Sequence, residues 1–400
     1  MDLKSGLPYW LIKDGLPFNY PTLTQSITTR VVVLGAGISG ALMAYHLGNA
    51  GIETVVIDKR SIGLGSTCAS TSLLQYEIDK PLSELIEKRG YKDAVRSYRL
   101  CSASIDKLGA IAKHIGYKDF EYKNSLFYAV HKKDVEFLER EFSVRKKAGF
   151  EVEWLNEKEI SNNYLKAPAA ILSHQAAQTN AYGFAHALHQ FNVKKGIDVY
   201  DRTEIIDIRH QPRSVELITS DGIKIKCKKL VYATGYEVVN MIDKKIVDLQ
   251  STYAVISEQF SNPDPFWPAN ALIWNTADPY LYMRVTADNR IIVGGRDENF
   301  YNPKRRDKLI KNKTRQLAGD FTKLFPQHVF KPEFSWTGTF GATEDGLPFI
   351  GTYKKLPNSY FSLGFGGNGI TFSLIAAEII TSLLQGKNNQ DSKIFSFDRV

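Results

Sequence analysis

Cysteine is scarce in this chain, with three residues in 400, at Cys68, Cys101 and Cys227. They are far apart, odd in number and without metal-ligand spacing. That excludes a disulfide framework and points to a reducing compartment. Long uncharged runs are nearly as rare. The one stretch long enough to span a bilayer, Val31 to Ile52, contains five glycines together with His46 and Asn49. It breaks from a β-branched run into a glycine-rich turn, so a strand–turn–helix explains it better than a membrane span, and no span is expected. The first 30 residues mix charges with three prolines and lack a signal-peptide layout, so a cytoplasmic location is expected. HExxH, P-loop, GxSxG and CxxC patterns are all missing. The eight histidines show no paired metal spacing; His186 and His189 share a helix face but no acid nearby completes a site. No metal is expected.

What is present describes a globular protein. Apolar residues make up 43% and charged residues 24%, which argues against disorder. At this length two domains are the default. The aromatic fraction of 12% favours a sizeable β component and an aromatic-lined pocket. The formal charge of +8 is spread out. Its densest clusters are Lys304–Arg305–Arg306 with Lys308, and Lys224, Lys226, Lys228 and Lys229, the latter on one solvated face of an alternating strand. Solubility, or a basic mouth for an anionic substrate, accounts for the balance, and no nucleic acid partner is expected.

The strongest local pattern begins at residue 31. The run VVVL reads as a strand buried on both faces, GAGISG follows, and a helical pattern leads to Gly51 and a second buried strand, TVVI. This is a βαβ unit. Gly35 permits a tight turn, Gly37 lets a pyrophosphate approach the backbone, and Gly40 allows the helix to pack closely on the strand. The helix start, with Ile38 and Ser39, turns free amides and the positive end of its dipole toward the phosphates. Asp58 lies 21 residues after Gly37, where a carboxylate accepts hydrogen bonds from a ribose. Lys59 and Arg60 follow. Arg60 hints at a 2′-phosphate, but Asp58 would repel one.

Three further stretches suit the same ligand. Residues 65–72 (GSTCASTS) are small enough to wrap a phosphate or a flavin ribityl chain; a surface loop is the other reading. The strand LVYA ends at Thr234-Gly235, where small residues permit close approach to a cofactor. Near the end, Gly364-Phe365-Gly366-Gly367-Asn368-Gly369-Ile370-Thr371 precedes the final helix, an anion site of the kind that stabilises charge on a reduced flavin.

Between these ends the pattern predicts a helix from about Pro81 to Ile115 broken near Gly90, a strand from 124 to 131, and helices over 133–147, 182–195 and 305–325. Strands are expected at 197–200, 204–209, 214–220, 223–229 and 230–233, with a strand-rich block from 250 to 295. Strand–loop–helix at the end mirrors βαβ at the start. The fold class is therefore α/β, with a Rossmann-like domain built from both ends and an inserted antiparallel-sheet domain. The expected division is 1–90, 150–248 and 335–400 for the cofactor domain, and 91–149 and 249–334 for the substrate domain.

In this order the motifs make the chain resemble the D-amino-acid oxidase-like family of FAD-dependent oxidoreductases, which includes glycine and sarcosine oxidases. The matching stretches are VVVLGAGISG with VVIDKR, GSTCASTSLLQ, LVYATG, YLYMRVTADNRIIVGG, WTGTFGATEDGLPFIG and YFSLGFGGNGITFS. The resemblance implies FAD as cofactor. Gly35, Gly37 and Gly40 match the pyrophosphate glycines, Asp58 the ribose acid, and Ser66 and Thr67 the loop beside the cofactor. Gly366, Gly367, Gly369 and Thr371 match the loop under the flavin ring, and Ile205 an adenine-contacting strand position. Where glycine and D-amino-acid oxidases clamp a substrate carboxylate with arginine, this chain has Thr339-Phe340. Where sarcosine oxidases place arginines, it has Ser72 and Gln75. No cysteine lies in residues 337–351, where sarcosine oxidases attach flavin, so non-covalent FAD is expected.

The activity implied is oxidation of a C–N bond in an amine or N-substituted amino acid. Hydride passes to flavin N5, the imine hydrolyses, and O₂ or another acceptor reoxidises the flavin. Tyr253, Tyr282 and Arg284 are the expected substrate contacts. Arg284 has two readings, a carboxylate clamp or a pair with an acid at the sheet edge. A hydroxy-acid dehydrogenase and a non-catalytic or RNA-associated flavoprotein are the alternatives.

Overall fold

A computed structural model describes residues 1–243, 245–262 and 264–399. Two sheets organise them. The smaller has parallel strands in the order Ser359–Leu363, Lys224–Tyr232, Ile27–Leu34, Thr54–Ile57 and Asp198–Tyr200. Phe349–Thr352 pairs antiparallel at one edge. A strand run that sequence periodicity divides at residue 230 is one continuous strand, because its first half also pairs with Val215–Thr219 while its second half is shared between two parallel neighbours. Lys224, Lys226 and Lys228 of its outer half do alternate with buried Ile225 and Cys227, whereas Lys229 falls on the other face, half-buried and donating to Asn358 Oδ1 (2.9 Å).

The run VVVL is uninterrupted because both faces of its strand are covered. Val31 and Val33 pack under the helices Ile38–Asn49, Ala181–Lys194 and Gly369–Leu384. Val32 and Leu34 meet Val215 and Leu217 of the opposite layer. Since Ser359–Leu363 lies two strands from Ile27–Leu34, both chain ends build one sheet, and this expectation holds.

The larger sheet runs in the order Lys4–Gly6, Pro332–Ala342, Asp248–Ser257, Ile291–Glu298, Tyr282–Val285, Leu272–Asn275, Phe120–Tyr128, Ala169–Thr179 and Leu73–Gln75, with Val152–Asn156 added beside Ala169–Thr179. It is antiparallel apart from one parallel pair, Leu272–Asn275 with Phe120–Tyr128. Residues 152–156 and 169–179, the strands near residues 5 and 74, and Pro332–Ala342 all join this sheet. The segment Ala169–Thr179 is apolar without clean alternation, so its strand character shows only through its partners on both sides. The helix Pro303–Leu324 covers one face, where Leu317 and Phe321 meet Tyr253, Val255, Met283 and Val293.

The helix Leu82–His114 does break at Gly90, which has φ +77°. Its N-terminus is capped by a buried ionic group. Leu82 and Ser83 amides donate to the two oxygens of Glu141 (2.9 and 2.8 Å), Arg145 Nε donates to Glu141 (2.7 Å), and Arg145 Nη1 donates to Glu77 (3.2 Å). All three side chains are essentially inaccessible. Breaking such a group strands charge in the interior. Arg145→Ala is expected to cost about 3–5 kcal/mol, read as a fall in the urea midpoint; a change under about 1 kcal/mol contradicts this role.

Candidate active site

A cavity of about 410 Å³ runs from the carboxyl ends of the central strands of the smaller sheet to the face of the larger one. Its middle is built from two helix starts. After the strand Ile27–Leu34, Gly35 turns with φ +107°, and any Cβ there would lie 2.4 Å from the Ala233 carbonyl oxygen. Gly37 caps the helix Ile38–Asn49. The helix Gly369–Leu384 starts alongside, and the two pack together, with Ser39 Oγ 2.6 Å from Ser373 Oγ. The first amides of each have no partner within their own helix. Residues 35–40 and 364–371, over 300 positions apart in sequence, thus meet around one space.

One end of the cavity is lined by Asp58, Lys59, Arg60, Thr203, Ile205 and Glu237. Asp58 accepts from the Ala36 amide (2.7 Å) and the Arg60 amide (2.8 Å). Burial raises its pKa, against those two bonds. Arg60 reaches away to Glu237 (2.8 Å). Burial pushes the Glu237 carboxyl up, but Arg60, with the Met1 amino group and Lys59, outweighs it and holds the pKa at about 2. The wall beside the helix starts carries Ser66, Thr67, Thr234 and Gly235. Thr67 Oγ1 accepts from the Ile38 amide (3.1 Å). Under the final helix, Gly366, Gly367, Asn368, Gly369 and Thr371 line the space. Asn368 ties its loop to the Gln75 and Glu77 carbonyls, and the Gly367 amide donates to Asp79 (2.8 Å).

The residues fit a dinucleotide. Ser66 Oγ and Thr234 Oγ1 are buried at this wall with no protein partner, which a native interior rarely tolerates. A Cβ on Gly37 would sit 2.6 Å from Thr67 Oγ1, so the wall has no room for a side chain.

Over residues 30–383 the chain matches the family model described as FAD dependent oxidoreductase, DAO. The chain belongs to the DAO family of FAD-dependent oxidoreductases. FAD is its cofactor. Gamma-glutamylputrescine oxidoreductase of Escherichia coli K12 is 26% identical over 92% of this chain and 86% of that protein. Glycine oxidase of Geobacillus kaustophilus is 23% identical over 92% of this chain and 96% of its own length. The crystal structure of L-proline dehydrogenase from P. horikoshii superposes with a TM-score of 0.78 at 21% identity, covering 94% of this chain and 97% of that one. Among the described residues no helix is long and apolar enough to cross a membrane, and no group of three or more histidine, cysteine or acidic side chains is placed to hold a metal.

Of the expected cofactor contacts, Gly40 alone does not line the cavity. A Cβ there would lie 1.8 Å from the Gly35 carbonyl, so Gly40 serves the helix–strand approach. Two of the three expected substrate contacts need correction. Tyr253 points to the opposite face, under Lys313, and its neighbour Thr252 lines the cavity instead, because successive strand residues alternate faces. Arg284 has neither of its expected roles. Its Nη1 donates to the Ser72 and Thr179 carbonyls (2.9 and 2.8 Å), and its guanidinium stacks 5.2 Å from the Trp10 ring centroid. Trp10 belongs to the helix Tyr9–Asp14, which has too little periodicity to be seen in sequence. Burial draws the Arg284 pKa down to about 10. Tyr282 does line the cavity, joined by Tyr280.

Sequence reading also passes over Asp297, which lines the same end. A bulge puts it there. Ile292 and Gly294 face the cavity side, so regular alternation would turn residue 297 toward the helix Pro303–Leu324. The register with Asp248–Ser257 slips between Ser251 and Tyr253, and Gly295 and Arg296 opposite have φ of +131° and +58°. One extra residue re-aims Asp297. Gly294-Gly295 inside a β-branched strand is the sequence signal for it. A Cβ on Gly294 would strike the Tyr282 ring at 2.3 Å, so the glycine makes room for that ring.

Burial raises the Asp297 pKa from 3.8 to about 7; a bond from Thr252 opposes this, Asp79 and Asp278 add to it, and Lys313 subtracts. Its Oδ1 is buried without a partner. Between those two values the unfolded chain releases this proton while the folded chain keeps it, so stability falls as pH rises from about 4 to 7. Asp297→Asn removes that loss. The melting temperature of the variant holoprotein, relative to the parent, is expected to be higher at pH 8 than at pH 5. A difference that does not change with pH refutes the assignment.

Proposed function

We propose that this chain oxidises a C–N bond in an amine or N-substituted amino acid. The observation that carries this is the single continuous cavity, with a dinucleotide cradle at one end and a polar–aromatic chamber at the other. The family match supports the redox chemistry. Relatives named for gamma-glutamylputrescine, glycine and L-proline support a nitrogen-bearing substrate.

In this reading Gly35, Gly37, Ile38, Ser39, Asp58, Lys59, Arg60, Ser66, Thr67, Ile205, Thr234, Gly235, Gly366, Gly367, Asn368, Gly369 and Thr371 hold FAD. The two helix starts serve its anionic groups, and Asp58 accepts from a ribose. Retention is non-covalent: the lining residues include no cysteine, and Cys68 is buried with Sγ donating to the Gly65 carbonyl. The smaller sheet and its helices form the cofactor domain and the larger sheet the substrate domain, with residues 150–179 assigned to the latter. FAD, when bound, supplies a two-electron acceptor for hydride from the carbon next to nitrogen. The protein's own part is placement. Tyr280, Tyr282, Thr252 and Phe340 wall the chamber, fix the substrate's approach and displace water from it.

The purified protein is expected to show a flavin absorption spectrum, to release intact FAD on denaturation, and to bleach anaerobically with members of an amine and amino acid panel. Bleaching by hydroxy acids alone, or by no member of the panel, ends this reading. Asp58→Ala is expected to weaken FAD retention at least about tenfold, since hydrogen bonds to a charged acceptor contribute about 1.5–3 kcal/mol. Flavin fluorescence in the filtrate of washed protein measures it.

A further inference from the structure

The cationic side chains lining the cavity, among the described residues, are Lys59 and Arg60, and both stand at the Asp58 end, engaged with Glu237 (Lys59 Nζ at 3.2 Å). At the chamber end the charge has the opposite sign. Asp297 lines it with one oxygen buried and without a hydrogen-bond donor. Lys313, the cation whose charge acts on this acid, is turned elsewhere, donating to the Arg296 carbonyl (2.8 Å) and Glu298 (2.6 Å). Arg284, on the same strand face as Tyr282, does not line the cavity; its Nη1 is held by the Ser72 and Thr179 carbonyls and its buried Nε has no partner. A substrate carboxylate would find no counterion in this chamber and a buried acid beside it. An ammonium group would find an acceptor, with the side chains of Tyr280 and Tyr282 lining the same chamber.

We propose that Asp297 binds the substrate's ammonium group and accepts a proton from it, so that the substrate is a cationic amine with no carboxylate on the reacting carbon. The proposal rests on the amine-oxidation reading for its chemistry. A protonated amine has no lone pair to assist loss of hydride. One N–H bond breaks, its proton passes to the Asp297 carboxylate, and the nitrogen keeps the electron pair. The neighbouring C–H bond then breaks, both its electrons leaving with hydrogen to FAD, the oxidant, while the nitrogen pair closes the C=N bond. Water later adds across that bond, giving a carbonyl product and releasing the amine nitrogen.

The groups that set the charge of this acid come from several elements. They are Asp79 before the helix Leu82–His114, Asp278, Tyr280 and Tyr282 around the strand Tyr282–Val285, Thr252 on the adjacent strand, and Lys313 on the covering helix. With the acid titrating near pH 7, an ammonium ligand is held better above that pH than below it.

The test uses FAD-loaded protein and calorimetry with two isosteric probes. These are tert-butylammonium, which has no α-hydrogen and cannot be oxidised, and trimethylacetate. The cation is expected to bind in preference to the carboxylate, and about tenfold more tightly at pH 8 than at pH 6, as an acid titrating near 7 ionises. Asp297→Asn and Asp297→Ser, both checked for FAD content, are expected to lose at least about tenfold in cation affinity and all of the pH dependence. The assignment is overturned if trimethylacetate binds the parent more tightly, or if either FAD-loaded variant keeps parental cation affinity. Anaerobic bleaching separates the two levels. Amines that bleach Asp297→Asn as fast as the parent overturn the role of Asp297 and leave amine oxidation standing. Asp297-dependent cation binding without bleaching by any amine overturns amine oxidation and leaves the charge assignment standing.

Discussion

The architecture depends on two helix starts meeting. A helix leaves its first amides unpaired and its dipole unopposed. Here two such ends are brought side by side and fastened through Ser39 and Ser373. Without a ligand this places like partial charges together, so the arrangement makes physical sense as a receptor for anionic groups. Much of the surrounding detail serves that approach. Gly40 lets one helix sit on its strand, Gly35 lets the turn clear residues 233–234, and Asn368 pins the second loop to the backbone at residues 75 and 77.

The cofactor half was legible in the sequence because its demands are local. A tight turn needs Gly35, a close approach needs Gly37, and an acid at the end of the next strand needs Asp58. Each constraint acts within a few residues or across one βαβ unit, so spacing alone carries it. Of the seventeen residues named there besides Gly40, all line the cavity. The substrate half was not legible, because its demands are long-range. Whether Tyr253 or Thr252 faces the chamber turns on a single step of strand alternation. What Arg284 does is decided by Trp10, some 270 positions earlier in the chain, and by two backbone carbonyls. Asp297 reaches the chamber only through a bulge, visible in sequence as no more than two glycines.

The chamber's polarity follows from the same long-range choices. A resemblance to amino acid oxidases invites a search for an arginine, and the strand Tyr282–Val285 offers one on the correct face. The N-terminal helix covers it. What remains at the chamber is an acid whose neighbours, Asp79 and Asp278, oppose its ionisation while a lysine one layer away partly favours it. Such a balance leaves a carboxyl able to exchange its proton near neutrality, a property that sites handling protonated ligands exploit.

The contact between Ser39 and Ser373 spans 334 residues. The central strand Ile27–Leu34 is made more than 300 residues before the strand Ser359–Leu363 and the helix after it. Loop closure over such distances is slow. The parallel sheet therefore stays open along one side, and the nucleotide cradle half-formed, until that later segment is made, by which point all the strands of the larger sheet have been synthesised. A complete grip on the dinucleotide therefore waits for the later helix start, which acts as the clasp on a cradle begun more than 300 residues earlier.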